Sequence, residues 1–376
     1  MLLTQLRLLK IKTNTCFNLL SVKKSHSILS GFFIAFQYIC EMQNDFSFII
    51  PVYNRPNEIE ELLLSFTKLT TKSKYEIVII EDGSTVSSKP IVDSFSSQLN
   101  ISYYFKENSG PGDSRNYGMQ NAKGNYFIIL DSDCILPIHY LNEVEKELNN
   151  EYVDCFGGPD TADDAFTNLQ KAINFSMTAF ITTGGIRGKE NSVNKFQPRS
   201  FNMGLSKKAF IATKGFGDIH PGEDPDLSIR LWQLGFKTKL FSKAYVYHKR
   251  RISWSKFYKQ VNKFGKVRPI LNAWHPKTKK LTYWFPSIFT LGFIVSILLL
   301  ILNIPFAFYL FCVYYAVAFV SALLSTKNIL VAIQSIIAIT IQFFGYGVGF
   351  LKSTLYLTIS NKTPEQLFPE LFFKSK

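Results

Sequence analysis

Paired cysteines are missing from this sequence. Its five cysteines, Cys16, Cys40, Cys134, Cys155 and Cys312, are scattered, odd in number and without the close spacing of a metal-binding pair. That excludes a disulfide framework and a structural zinc site, and it suits a reducing compartment for the soluble part. Acidic residues are scarce as well, 28 against 42 Lys and Arg, which leaves a net charge of +14. The surplus is unevenly placed. Residues 237–280 are dense in bases (Lys237, Lys239, Lys243, Lys249, Arg250, Arg251, Lys256 and Lys259 among them), whereas 284–351 is almost uncharged. A basic block beside a long hydrophobic block points to a membrane surface. No zinc-finger spacing or RNA-binding signature accompanies the charge, so nucleic acid is not expected as a partner.

A secretory cleavage site is lacking too. Residues 28–40 are apolar behind a basic flank, but they fall short of the ~20 residues that span a bilayer, and no small-residue cleavage site follows. Residues 1–41 read as an upstream extension, with Met42 as the natural start, or alternatively as a membrane-associated leader.

From Phe46 the pattern becomes regular. Residues 46–52 read as a strand, and Pro56 and Asn57 open a helix with Ile59, Leu62, Leu63 and Phe66 at helical spacing. Tyr75–Ile80 reads as a second strand, closed by Glu81-Asp82-Gly83-Ser84. A helix near 88–98 and a strand at Ile101–Phe105 follow. After the loop Asn108-Ser109-Gly110-Pro111-Gly112, Asp113 or Ser114 is placed to cap a helix through Gln120. Tyr126–Leu130 is a buried strand, and Pro137 is expected to start the next helix. Strands and helices alternating at these lengths imply an α/β fold, a mostly parallel sheet with helices on both faces. In such sheets ligands bind beyond the carboxyl ends of the strands, where Asn54, Asp82, Asp131 and Asp133 fall. Residues 155–245, rich in glycine, read as loops and short elements of a more variable half.

Residues 252–267 are amphipathic. Trp254, Phe257, Tyr258, Val261 and Phe264 share a face, with lysines largely elsewhere, as suits a helix lying in a membrane interface. Three stretches, 284–302, 304–324 and 328–350, are each long and apolar enough to cross a bilayer. The basic block before them places the preceding domain in the cytoplasm, and Lys327 agrees. Three full crossings would put the C-terminus outside, whereas Lys362, Lys374 and Lys376 pull the other way.

Two clusters carry chemistry. Asp131 and Asp133 flank Ser132 just past a strand, where paired carboxylates can converge on Mg²⁺ or Mn²⁺ and a substrate phosphate. A solvated turn is the plainer reading, weakened by Asp82 and Arg115 at the same sheet edge. In His220-Pro221-Gly222-Glu223-Asp224-Pro225-Asp226, the acids could simply cap a helix, or Glu223-Asp224 could present a general base to a hydroxyl.

The segments FIIPVYNRPNEI, IVIIEDGST, NSGPGDSRNYGMQNAKGNYFIILDSDC and GEDPDLSIRLWQLGF, in this order and spacing, resemble a family 2 glycosyltransferase of the GT-A fold over roughly residues 46–250. The resemblance implies that Pro51, Tyr53, Asn54, Asp82, Arg115 and Asp131 hold a nucleotide-sugar donor. Asp133 and Asp131 would then bind Mn²⁺ or Mg²⁺, joined by His248 of AYVYHKR, although a histidine among bases is often mere surface. It further implies Asp224 as catalytic base beside Glu223 and, more weakly, Asn202 and Met203 of FNMGLSKKAF on the acceptor side. KQVNKFGKVRP has Gln260 but lacks the Gln-x-x-Arg-Trp motif of processive synthases, which disfavours export of a long polymer.

The implied organisation is a leader at 1–41, a GT-A domain at 42–250 (nucleotide-binding half 42–150, acceptor half 151–250), a basic interfacial segment at 251–283, about three transmembrane helices over 284–352 and a tail at 353–376. The implied activity is inverting, metal-dependent transfer to a hydroxyl on a lipid-linked or membrane-proximal acceptor in cell-surface glycan biosynthesis. The expected location is the inner (plasma) membrane, multi-pass, with the catalytic domain facing the cytoplasm. The alternatives are a membrane-bound nucleotidyltransferase, which should show glycines right after the first strand where PVYNRPNE has none, and an inactive anchored scaffold, in which the acids should have eroded. Nothing in the sequence specifies the sugar, the nucleotide base, the linkage or the oligomeric state.

Overall fold

The structure is a computed structural model and describes residues 45–161, 166–183, 196–248 and 253–373. The expected leader lies outside the described residues, as do Lys249, Arg250 and Arg251 of the basic block and Lys374 and Lys376.

In chain order the strands are β1 (Phe46–Val52), β2 (Tyr75–Asp82), β3 (Ile101–Lys106), β4 (Tyr126–Leu130), β5 (Cys134–Ile135), β6 (Cys155–Gly157), β7 (Asp160–Thr161), β8 (Asn202–Ser206), β9 (Thr238–Leu240) and β10 (Val246–His248). The helices of the same region are α1 (Pro56–Phe66), α2 (Lys89–Phe95), α3 (Pro111–Asn121), α4 (Tyr140–Asn150), α5 (Asn168–Thr178), α6 (Phe180–Thr183), α7 (Lys207–Thr213) and α8 (Glu223–Gln233).

The main sheet has the order β3-β2-β1-β4-β8-β6-β9. Its first four strands are parallel, as the sequence leads one to expect, and β8 runs antiparallel to both β4 and β6. Side chains alternate across this sheet because a strand has a period of two. Phe46, Phe48, Ile50 and Val52 of β1 enter one core with α1 and α4, while Ile49 enters the other with α3, α7 and α8. Covering both faces allows the inner strands to be continuously apolar. A second sheet, β5-β10-β7, stands beside it and pairs His248 with Cys134.

Three local expectations are corrected. Helix α3 begins at Pro111, with Gly110 as its N-cap at φ 93°, so neither Asp113 nor Ser114 caps it. Proline suits the first helical position, where its missing N–H has no partner to lose. Helix α4 begins at Tyr140, since residues 137–139 form a turn whose Pro137 carbonyl accepts from Tyr140 N at 3.0 Å. Residues 202–206, taken as part of a loop-rich half, form the buried strand β8 in the middle of the sheet.

Beyond the sheet come α9 (Trp254–Trp274), α10 (Phe285–Ile301), α11 (Phe306–Thr326) and α12 (Ile329–Ile359); the last three, with α10 counted from the short turn at Leu281, are long and apolar enough to cross a membrane. Ile294, Leu298, Val313 and Val317 are exposed on them, an apolar surface that suggests membrane association. The third runs past Phe350, where the apolar stretch was expected to stop. The face of α9 expected to rest in the interface packs largely on α12 instead. Phe257 and Val261 are buried, and a Cβ at Gly265 would strike the α12 backbone at Tyr346. Helix α5 joins them through Ile173, Phe175 and Met177.

After α12, the short helix α13 (Pro364–Leu367) and a turn at Pro369–Leu371 bring the chain back to the sheet domain. There Phe372 pairs antiparallel with Ile219, His220 N donates to Leu371 O at 2.7 Å and Phe373 N donates to Asp218 O at 3.0 Å.

Candidate active site

The parallel register, with Pro51 opposite Ile80 and Asp82 opposite Lys106, brings the ends of β1, β2 and β3 to one edge. Asn54 sits just past β1 at φ 55°, a left-handed conformation that asparagine tolerates better than most residues. Its Oδ1 accepts from Thr85 N at 2.8 Å and Val86 N at 3.0 Å, which ties β1 to the loop after β2. Tyr53 beside it is exposed and Pro51 half-buried. Asp82 is fully engaged. Its carboxylate accepts from Lys106 Nζ at 2.7 Å, Ser109 N at 3.0 Å and Gly110 N at 3.0 Å, folding the glycine loop onto the end of β2.

One layer along, buried Arg115 of α3 joins two acids from distant parts of the chain. It donates to Asp131 at 2.9 Å and to Glu223 at 3.3 Å. Glu223 also meets His220 Nδ1 at 2.8 Å and accepts from Gly222 N at 2.9 Å. Burial alone would raise its pKa, but His220 and Arg115 outweigh burial and hold it at about 2. Asp224 is treated differently. Its Oδ2 accepts from Ser200 N at 3.1 Å, while its buried Oδ1 has no hydrogen-bond partner among the described residues. Burial and the neighbouring charge of Glu223 push its carboxyl up to about 6. Two adjacent carboxyls driven apart in this way are what an acid–base site requires.

Asp133 lies in a third group. Its Oδ1 is 2.9 Å from His248 Nε2, and its Oδ2 accepts from Arg55 at 3.0 Å; Arg55 also reaches Glu58 at 2.9 Å. Burial opposes ionisation of Asp133, yet His248 and Arg55 prevail and lower its pKa. Strand β10 delivers His248 here by pairing with β5, and the ring stacks on Phe201 at 5.2 Å. Asn202 and Met203, by contrast, are buried in β8. The Asn202 amide is spent on Tyr140 Oη at 2.6 Å and Ala244 O at 2.8 Å, so the structure does not bring this pair to the cleft.

Comparison with known proteins fits this geometry. Residues 47–211 match the family model of glycosyl transferase family 2. These residues form a family 2 glycosyltransferase domain. The chain is 39% identical over 103 residues to an uncharacterized glycosyltransferase of Rickettsia typhi, covering 27% of this chain and 30% of that one. It is also 31% identical over 112 residues to the Staphylococcus aureus poly(ribitol-phosphate) beta-N-acetylglucosaminyltransferase TarS, covering 29% of this chain and 20% of the relative. The matches thus span less than a third of these curated relatives. The fold is GT-A. The chain superposes with TM-score 0.56 and 16% identity on a mannosyltransferase from Pyrobaculum calidifontis solved with GDP-Man and Mn²⁺, over 84% of this chain and 88% of that one.

Ligand atoms of Asp133, Cys134 and His248 lie within 4.8 Å of one another. Carboxylate and imidazole suit a divalent ion of the Mn²⁺ or Mg²⁺ class. The Cys134 thiol does not, because burial pushes its pKa well up and its Sγ donates to Phe201 O at 3.4 Å. Arg55, Glu58, Ser200 and His220 belong to the site without having been singled out from sequence. Arg55, Glu58 and His220 carried a signal, each standing within a motif already noted for other residues, whereas Ser200 carried none.

Proposed function

We propose that the domain is an inverting glycosyltransferase that moves a sugar from a nucleotide-diphosphate donor to an acceptor hydroxyl, with Asp224 as general base. The observation carrying this reading is the Asp224 carboxyl: buried, one oxygen unpartnered among the described residues, and pushed up to about 6 beside an Arg–carboxylate cluster. The acceptor hydroxyl oxygen attacks the anomeric carbon as its proton passes to Asp224 Oδ1. The bond from carbon to the diphosphate oxygen breaks, and the electron pair leaves with the diphosphate. Arg115 lies close enough to Asp131 and Glu223 to meet negative charge developing at the leaving group once these pairs rearrange. Asp131, Asp133 and His248 would hold a divalent cation, which when bound offsets charge on the diphosphate. Pro51, Tyr53, Asn54 and Asp82 form the edge at which the nucleotide would lie.

The exposed apolar helices support an acceptor in or near a membrane, such as a lipid-linked glycan intermediate in cell-surface assembly. Lysines along α9 support an inner (plasma) membrane location with the domain toward the cytoplasm. Asp224→Asn tests the assignment. Turnover is expected to fall by about 10²–10⁴-fold, as for loss of a general base, with nucleoside diphosphate affinity retained. Near-normal turnover would rule Asp224 out as the base.

A further inference from the structure

The segment that follows α12 does not end against the apolar helices. It returns to the catalytic domain and lies against the loop that presents the Glu223-Asp224 pair. Its backbone continues the 218–220 stretch as a short antiparallel pair, with hydrogen bonds from His220 N to Leu371 O at 2.7 Å and from Phe373 N to Asp218 O at 3.0 Å. Phe368 and Leu371 are buried with Ile219, Val267 and Ile270, so the return is anchored by a core of its own.

Phe373 then reaches two parts of the site at once. Its ring lies 5.7 Å from that of His220, whose Nδ1 is 2.8 Å from Glu223. The same ring covers Gly110, where any Cβ would run into it, and Gly110 is both the N-cap of α3 and a donor to Asp82. Ser109, Asp113, Asp218, His220 and Phe373 line a common small cleft.

We propose that this returning segment is a positioning part of the transfer site: Phe372 and Phe373 latch the 218–223 loop so that His220 and Glu223 keep Asp224 poised, and Phe373 closes the cleft at Gly110. The inference rests on Asp224 being the base. Phe372 and Phe373 are positioning residues, since they act through His220 rather than on the reacting atoms. The latch also joins α12 to catalysis, because the segment that seats the loop is held by Lys266 and Tyr356 on the neighbouring helices.

The test uses the full chain in lipid nanodiscs, with Phe373→Ala, Phe373→Tyr and a chain stopped after Lys362. Glu365→Gln, exposed on α13 at the start of the same segment, is the control. Phe373→Ala and the shortened chain should lose about tenfold or more in kcat, as misplacement of a catalytic group does. Affinity for nucleoside diphosphate should hold, hydrogen exchange at the His220 amide should rise and the midpoint of the kcat–pH profile should move. Phe373→Tyr, which keeps the ring, should restore kcat, His220 exchange and the pH midpoint. Unchanged kcat and unchanged His220 exchange would overturn the latch. So would a fall in kcat with the pH midpoint and His220 exchange unmoved, since a mere buttress predicts that pattern. Asp224→Asn run alongside separates the two ideas. If it is inactive while Phe373→Ala behaves as wild type, only the latch fails; if it is fully active, the base assignment fails and His220 exchange still reports the latch.

Discussion

Glu223 and Asp224 are neighbours in sequence with opposite surroundings. Glu223 has His220, Arg115 and the Gly222 amide; Asp224 has the Ser200 amide, a buried and unsatisfied oxygen and the charge of Glu223. A base must be ionised to accept a proton, so kcat should rise with pH through a midpoint near 6 and then level. Glu223→Gln removes the negative neighbour that keeps the Asp224 proton on, which should move that limb to lower pH. A limb that stays put would mean that another group titrates. Arg55 makes a different prediction. It bridges Asp133 to Glu58 from a half-exposed position, and a cation entering at Asp133 must displace it. Exposed pairs of this kind are worth ~0–1 kcal/mol, so Arg55→Ala should tighten Mn²⁺ binding by up to about fivefold in a direct titration. Weaker binding would make Arg55 a support of the site rather than a competitor.

Strands were easier to read from sequence than their partners. Phe48–Val52 of β1, Ile77–Ile80 of β2 and Tyr126–Leu130 of β4 are continuously apolar because helices cover both faces, and that pattern survives in one dimension. Strand β8 gave no such sign, since Asn202-Met203-Gly204-Leu205 mixes a polar residue and a glycine into a fully buried strand. Gly204 is needed there because the Phe156 ring lies where its Cβ would be, and Asn202 is satisfied by partners far away in the chain. The candidate acids were legible because each ends a strand or begins a helix, whereas the Arg115–Glu223 pair joins residues 108 positions apart. The α9–α12 contact was equally hidden, because amphipathic spacing marks an apolar face but not what covers it. Gly265, Gly345 and Gly349 let the two helices approach backbone to backbone. Gly265→Leu should therefore force them apart, at a cost of about 1–3 kcal/mol for overpacking, seen as a lower melting temperature in detergent. An unchanged melting temperature would mean that the helices do not meet so closely.

At the scale of the whole chain, the catalytic domain and the apolar helices are fastened together at both ends of the helical region. At one end His275, closing α9, holds Asp226 of α8 at 2.8 Å. At the other, Phe372 pairs with Ile219. This second contact bears on a simple matter of parity. If the apolar helices enter a membrane, a chain that leaves one face and returns to it crosses an even number of times, so we expect at most two of the three to be complete crossings. Helix α12, about 46 Å long at 1.5 Å per residue and packed on α9 for much of its length, is the natural one to stay on the near side. The loop at 302–305 would then be the far turn, with Lys327 and Lys362 both beside the catalytic domain, as the positive-inside rule asks. A compartment-sensitive reporter fused after Lys376 should report the same side as one fused before Asp45. Opposite sides would show that the strand pair at Ile219 comes apart when the protein enters its membrane.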